Sequence, residues 1–190
     1  MMRRSYLPAV FCLIVGLSGT TSLHGAGTPA VDLNQLRREC ELFENILNTS
    51  LRQNIQNPLF IAEKVRGAYL EGYGVTFTYT VNLNRSMILF PRSTQSATTQ
   101  SGNEPDLGKT VQILRRCAAE VLSQYGSAFR QLPAQHKISI IAHVLSRSVD
   151  PNVQSGHVLV VTATRNDLDQ LQRARINADE FKKRIVYLEY

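Results

Sequence analysis

The sequence predicts an α+β domain: a mainly antiparallel sheet of about five strands, two longer helices packed on one face, and short helices near the C-terminus. Three observations carry this. Apolar residues recur at spacings of three and four over 36–51 and again over 111–125. A strict period-two alternation runs from Tyr73 to Asn82. Two further β-branched runs, 137–145 and 157–164, follow the second helical stretch. With elements in the order helix, two strands, helix, two strands, short helices, strand, layering the helices on one sheet face buries both apolar sides.

The first helix opens at Asp32, whose carboxylate is an N-cap acceptor. Gln35 stands three residues on, where its side chain can reach back, and Val31 is placed to pack on Leu36. Leu36, Cys40, Phe43, Leu47 and Leu51 then form a single stripe. In the next pattern, Tyr73, Val75, Phe77, Tyr79 and Val81 alternate with Gly74, Thr76, Thr78, Thr80 and Asn82, a half-buried strand with one Thr-rich face. The run 65–70 pairs with it through a turn at Glu71-Gly72, giving a hairpin over 65–81. Met87 to Phe90 is a candidate edge or packing segment. Residues 92–104, nearly devoid of apolar side chains, predict a mobile polar loop inside one domain.

The second helix is expected from about Pro105 to Tyr125, with Val111, Leu114, Cys117, Ala118, Val121, Leu122 and Tyr125 inward and Gly126 suited to a left-handed C-terminal position. Strands over 137–145 and 157–164 flank a loop at Asp150-Pro151-Asn152. Asn166 is expected to cap a short helix, Asn177 with Glu180 another, and Ile185 to Tyr190 closes the domain as a strand.

Residues 1–27 read as a signal peptide: Arg3 and Arg4 without acids, an apolar run from Leu7 to Leu17, then small and weakly polar residues from Ser18 to Gly27. The run is short against the ~20 residues a membrane-spanning helix requires, so cleavage is expected and no permanent span remains. Cys12 follows Phe11 inside the run rather than a small-residue box, which argues against a lipid anchor. The remaining 28–190 is expected to be one globular domain, exported to the periplasm or secreted and monomeric by default. Losing Arg3 and Arg4 lowers the net charge from +6 to +4. Without a dense basic face, no nucleic-acid partner is expected.

Cleavage also removes Cys12 and leaves Cys40 and Cys117, both facing inward, in a compartment where disulfides persist. A Cys40–Cys117 disulfide would close a loop of about 78 residues and contribute at most about 4.5 kcal/mol in the loop-entropy description. Two buried thiols acting as small apolar residues are the equal alternative.

The stretches GAYLEGYGVTFTYTVNL (67–83), LPAQHKISIIAHVLSRS (132–148), TRNDLDQLQ (164–172) and DEFKKR (179–184) resemble segments of uncharacterised exported bacterial proteins. The resemblance implies a bacterial envelope or secreted setting. It carries no activity to any residue.

No nucleophile elbow, zinc-protease helix, C-x-x-C pair or phosphate-binding glycine loop occurs in the sequence. Of the histidines beyond the leader, His136, His143 and His157, the last two are placed to approach across neighbouring strands, which falls short of the three or four ligands zinc usually takes. No cofactor is demanded. The turn around Tyr69, Glu71 and Tyr73 gathers aromatic, acidic and glycine residues, a candidate binding turn whose simpler reading is sheet packing. The expectation is therefore an exported noncatalytic interaction or envelope-associated domain, meeting an unknown protein or envelope component. An exported hydrolase, its site assembled only in three dimensions, is the alternative.

Overall fold

The computed structural model describes residues 31–55, 60–83, 106–147 and 154–190. The leader, the Met87–Phe90 segment, the polar loop at 92–104 and the loop at 150–152 lie outside the described residues. Val31–Tyr190 forms one compact unit. Its elements are α1 (Leu33–Asn54), β1 (Ile61–Leu70), β2 (Gly74–Asn82), α2 (Leu107–Tyr125), β3 (Lys137–Arg147), β4 (Gln154–Thr164), α3 (Arg165–Gln172), α4 (Ala178–Arg184) and β5 (Val186–Glu189). The strands lie in the order β1-β2-β3-β4-β5.

Helix α1 starts where its acceptor stands. Asp32 Oδ1 accepts the N–H groups of Asn34 and Gln35 at 2.9 and 3.2 Å. Gln35 does not reach back. Its amide donates to Glu39, and the Asp32 N–H goes to Gln131 Oε1 at 3.0 Å instead. All five stripe residues, Leu36, Cys40, Phe43, Leu47 and Leu51, are buried. A fully buried aliphatic or aromatic side chain contributes about 1.5–3 kcal/mol, so the stripe is what holds α1 to the sheet.

The hairpin is longer than its sequence pattern, running from Ile61 to Asn82. Gly72 adopts φ +74 in the turn closed by the Tyr73 N–H on the Leu70 carbonyl at 3.1 Å. Gly74 is required twice over: its φ is +130, and a Cβ there would lie 2.1 Å from the Lys137 carbonyl oxygen. That close approach begins the pairing of β2 with β3, which is parallel over nine residues, from Gly74 opposite Lys137 to Asn82 opposite Leu145. The other three strand pairs are antiparallel. Because α2 intervenes between β2 and β3, the chain returns to the same end of the sheet, as a parallel neighbour requires.

Val75, Phe77, Tyr79 and Val81 point to the helices, as do Ile138, Ile140, Ala142, Val144, Leu159, Val161 and Ala163. Phe43, Phe77 and Phe129 form an aromatic cluster with centroids 4.5–5.9 Å apart. Gly126 is right-handed (φ −62), not left-handed as its position suggested. It is small for a different reason: a Cβ would come within 2.9 Å of Leu168 on α3. The α3 cap also moves, from Asn166 to Thr164, whose hydroxyl accepts the Asp167 N–H at 3.1 Å. The Asn177–Glu180 capping box of α4 forms in both directions.

Cys40 and Cys117 are free, buried thiols, so the candidate disulfide is absent. Cys117 Sγ lies 3.0 Å from Ser50 Oγ. Cys40 is ten residues earlier on α1, about 15 Å along the axis at 1.5 Å per residue. A disulfide needs Cα atoms within about 7 Å. Both cysteines face inward, but at different heights of the same core.

Candidate functional site: the open sheet face and its two edges

The helices cover one face of the sheet, and the register fixes what lines the other. Opposed residues share a face, so one open-face row reads Thr78, Ile141, Val160, Leu188 from β2 to β5. A second reads Thr76, Ser139, Thr162, Val186. The third, Thr80, His143, Val158, ends at Tyr190, which exchanges main-chain hydrogen bonds with Val158 at 2.7 and 3.1 Å. The Thr-rich half over β2 is polar. Across β4 and β5 the face becomes apolar, with Val186, Leu188 and Tyr190 left 54%, 55% and 73% exposed. An apolar surface concentrated at one side of a sheet is the kind of feature that marks an interaction site.

Tyr73 borders this face. Its hydroxyl shares a 2.6 Å hydrogen bond with Ser139, which shares another of 2.8 Å with Thr162, and the Lys137 ammonium stands 5.6 Å from the ring centroid. Tyr69 goes the other way. It is opposite buried Val75 and lines a groove of about 330 Å³ against α1 with Cys40 and Glu44. Glu71 is exposed at the tip between them. The turn therefore divides its two tyrosines between opposite faces and makes no joint platform.

The histidines are divided likewise. His143 is opposite Val158 on the open face, while His157 is opposite buried Val144 on the helix face. They do not meet across the strands, because adjacent positions in a register point to opposite sides. His157 Nε2 is instead 3.9 Å from Glu189 Oε2, and Arg115 Nη1 reaches Glu189 Oε1 at 3.5 Å. The Arg115 guanidinium also stacks over Tyr187, 4.0 Å from the ring centroid. Burial raises the Tyr187 phenol above its ordinary pKa, and Arg115 opposes that shift. This cluster fastens β5 to α2 and β4. Among the described residues no group of three or more His, Cys, Asp or Glu side chains could hold a metal ion.

At the opposite edge, α1 does the fastening. Glu44 Oε1 accepts the Gly67 N–H at 2.7 Å and Asn48 Oδ1 accepts the Val65 N–H at 3.0 Å, so these two outward main-chain donors of β1 are occupied. A Cβ at Gly67 would lie 2.7 Å from Phe77 and 3.1 Å from Glu44, which keeps this contact close.

The thiols are poorly suited to chemistry. Burial, reinforced by Glu44, Glu39 and Glu41, pushes the Cys40 thiol up to about 11, and burial raises Cys117 as well. Tyr79, whose buried hydroxyl has no hydrogen-bond partner among the described residues, is raised far above the ordinary phenol range by burial and then by Cys117. Among the described residues no helix is long and apolar enough to cross a membrane.

The sequence reading missed the edge fastenings altogether. Glu44 and Asn48 lie four apart on the flank of the α1 stripe, a visible spacing, but nothing local says which strand they meet. No family model, curated protein or solved structure matches the chain.

Proposed function

We propose that this chain is an exported, noncatalytic interaction or envelope-associated domain whose contact surface is the apolar part of the open sheet face. The single observation that carries the reading is the row Ile141, Val160, Leu188 with its neighbours Val158, Val186 and Tyr190, an apolar surface held out on a sheet with no helix over it among the described residues. Burying such side chains against a partner yields roughly 25 cal/mol per Å² of apolar area. The helix-covered face is already consumed by the core. Export rests on the basic, apolar and small-residue leader and on the resemblance to exported bacterial proteins.

Site-specific photocrosslinking in native envelope preparations tests this. A photoreactive residue in place of Leu188 or Val160 is expected to give a defined adduct, and one in place of Asn45 on the outer side of α1 is not. Adducts only at Asn45 would move the surface to the helices. Export is tested separately by fractionation and the mass of the mature N-terminus, and retention in the cytosol with Met1 attached would refute it.

A further inference from the structure

The hydrogen-bonded pair formed by Val158 and Tyr190 sets the phase of the whole β4–β5 ladder. Val186, Leu188 and Tyr190 turn their main-chain groups toward β4, and Tyr187 and Glu189 turn theirs outward. Among the described residues, no main-chain group occupies those outward N–H and C=O groups. The strand is nonetheless held in place from behind by Arg115 on Tyr187 and Glu189. It is therefore a preformed, uncapped edge, bordered by exposed Val186, Leu188 and Tyr190.

The edge also has a charged end. Lys182, Lys183 and Arg184 form the last turn of α4, directly before β5. Arg184 is held by Asp167 at 2.9 Å and Gln170 at 3.0 Å, and Lys182 lies 4.0 Å from the exposed Asp179. Lys183 is exposed. At the other end, Glu189 is faced by Arg115 and His157. Glu180, the other acid of α4, is held in the capping box at the far end of the helix, so among the described residues the basic group left without an ion pair near the start of β5 is Lys183.

We infer that β5 is a strand-addition site for an extended segment of a partner protein, with apolar residues at alternate positions and acidic residues at its C-terminal end. Resting on the interaction-domain reading above, this names the partner's chemistry. An antiparallel segment brings its C-terminal end beside Lys182 and Lys183, its main chain bonds Tyr187 and Glu189, and its alternate side chains continue the apolar open face.

The test titrates the processed full-length chain with a capped octapeptide of alternating Thr and Val ending in two Asp. Controls are the same peptide ending in two Lys and one N-methylated at alternate amides. The acidic peptide is expected to slow hydrogen exchange at the Tyr187 and Glu189 amides. The Lys-ended peptide should bind about tenfold more weakly, and the N-methylated one should not bind. Glu189→Pro removes an outward N–H without breaking a ladder bond and should abolish binding with the fold retained, whereas Glu189→Ala should still bind. Equal binding of the N-methylated peptide, or no binding of the acidic one, overturns strand addition. The crosslinking result at Leu188 stands or falls independently of either outcome. A concentration-dependent dimer abolished by Glu189→Pro would assign the edge to a second copy and also overturn the inference.

Discussion

At the β1 edge, Glu44 and Asn48 of α1 occupy main-chain donors of Gly67 and Val65; at the β5 edge, Arg115 of α2 touches only the side chains of Tyr187 and Glu189. Both strands are terminal in one sheet, and both are anchored by a helix. The difference lies in which atoms are engaged. Occupying backbone donors closes an edge to further strands, while gripping side chains fixes a strand's position and leaves its backbone available. The β1 side should therefore govern stability and the β5 side binding.

The sharpest separation comes from Phe77, packed beneath Gly67 and against Phe43 and Phe129. Phe77→Ala is expected to cost about 3–5 kcal/mol in urea unfolding, and a loss below 1 kcal/mol would show the β1 side to be loosely packed. Next, Glu44→Ala strips the Gly67 N–H of its charged acceptor and should cost about 1–2 kcal/mol. Light scattering on the same variant is expected to reveal self-association through the reopened edge, and its absence would mean Asn48 alone closes β1.

Alkali probes the groove under β1. Since the folded-state pKa of Cys40 is raised from 9.0 to about 11, its neutral form stabilises the fold below pH 9, and that contribution is lost as pH rises toward 11. Unfolding midpoints compared at pH 8 and pH 10.5 should fall, and Cys40→Ala should lessen the fall without abolishing it, because Cys117 is shifted in the same direction. The smallest effect belongs to β5. Leu188→Ser, on a residue 55% exposed, should change stability by no more than about 0.5 kcal/mol, and a larger loss would make Leu188 part of the core rather than of a contact surface.

Much of the fold was legible because it is written in local periodicity. The α1 stripe, the alternation of β2 and the Asn177–Glu180 box each need only a few neighbouring residues to be recognised, and each forms. The misreadings fall where two local solutions compete or where a distant group intervenes. Thr164 displaced Asn166 as the α3 cap since either side chain can serve, and β4 runs to Thr164. Gln131, nearly a hundred residues away, took the donor that Gln35 was expected to satisfy. Gly126 was expected to close α2 in a left-handed conformation, but it is right-handed, and close packing of Leu168, far off in the chain, explains its small size. Of the site, the Thr-rich face of β2 was visible. Its apolar continuation was not, since each of β3, β4 and β5 alone shows only a mixed pattern.

What the sequence determined by itself is most of the inward side of each element, because helical and strand periods are properties of the local chain; the exceptions stand at element ends, where Tyr125, expected inward, is 42% exposed and Tyr73 turns to Ser139 on the face opposite Val75. Tertiary structure alone decided that β2 and β3 run parallel, that the two inward cysteines sit at different heights, that His143 and His157 face opposite sides, and that helix side chains take main-chain donors at one edge while, among the described residues, none does at the other. Those facts depend on the register between elements far apart in the chain, and register is set by packing of the assembled core. No local period contains it.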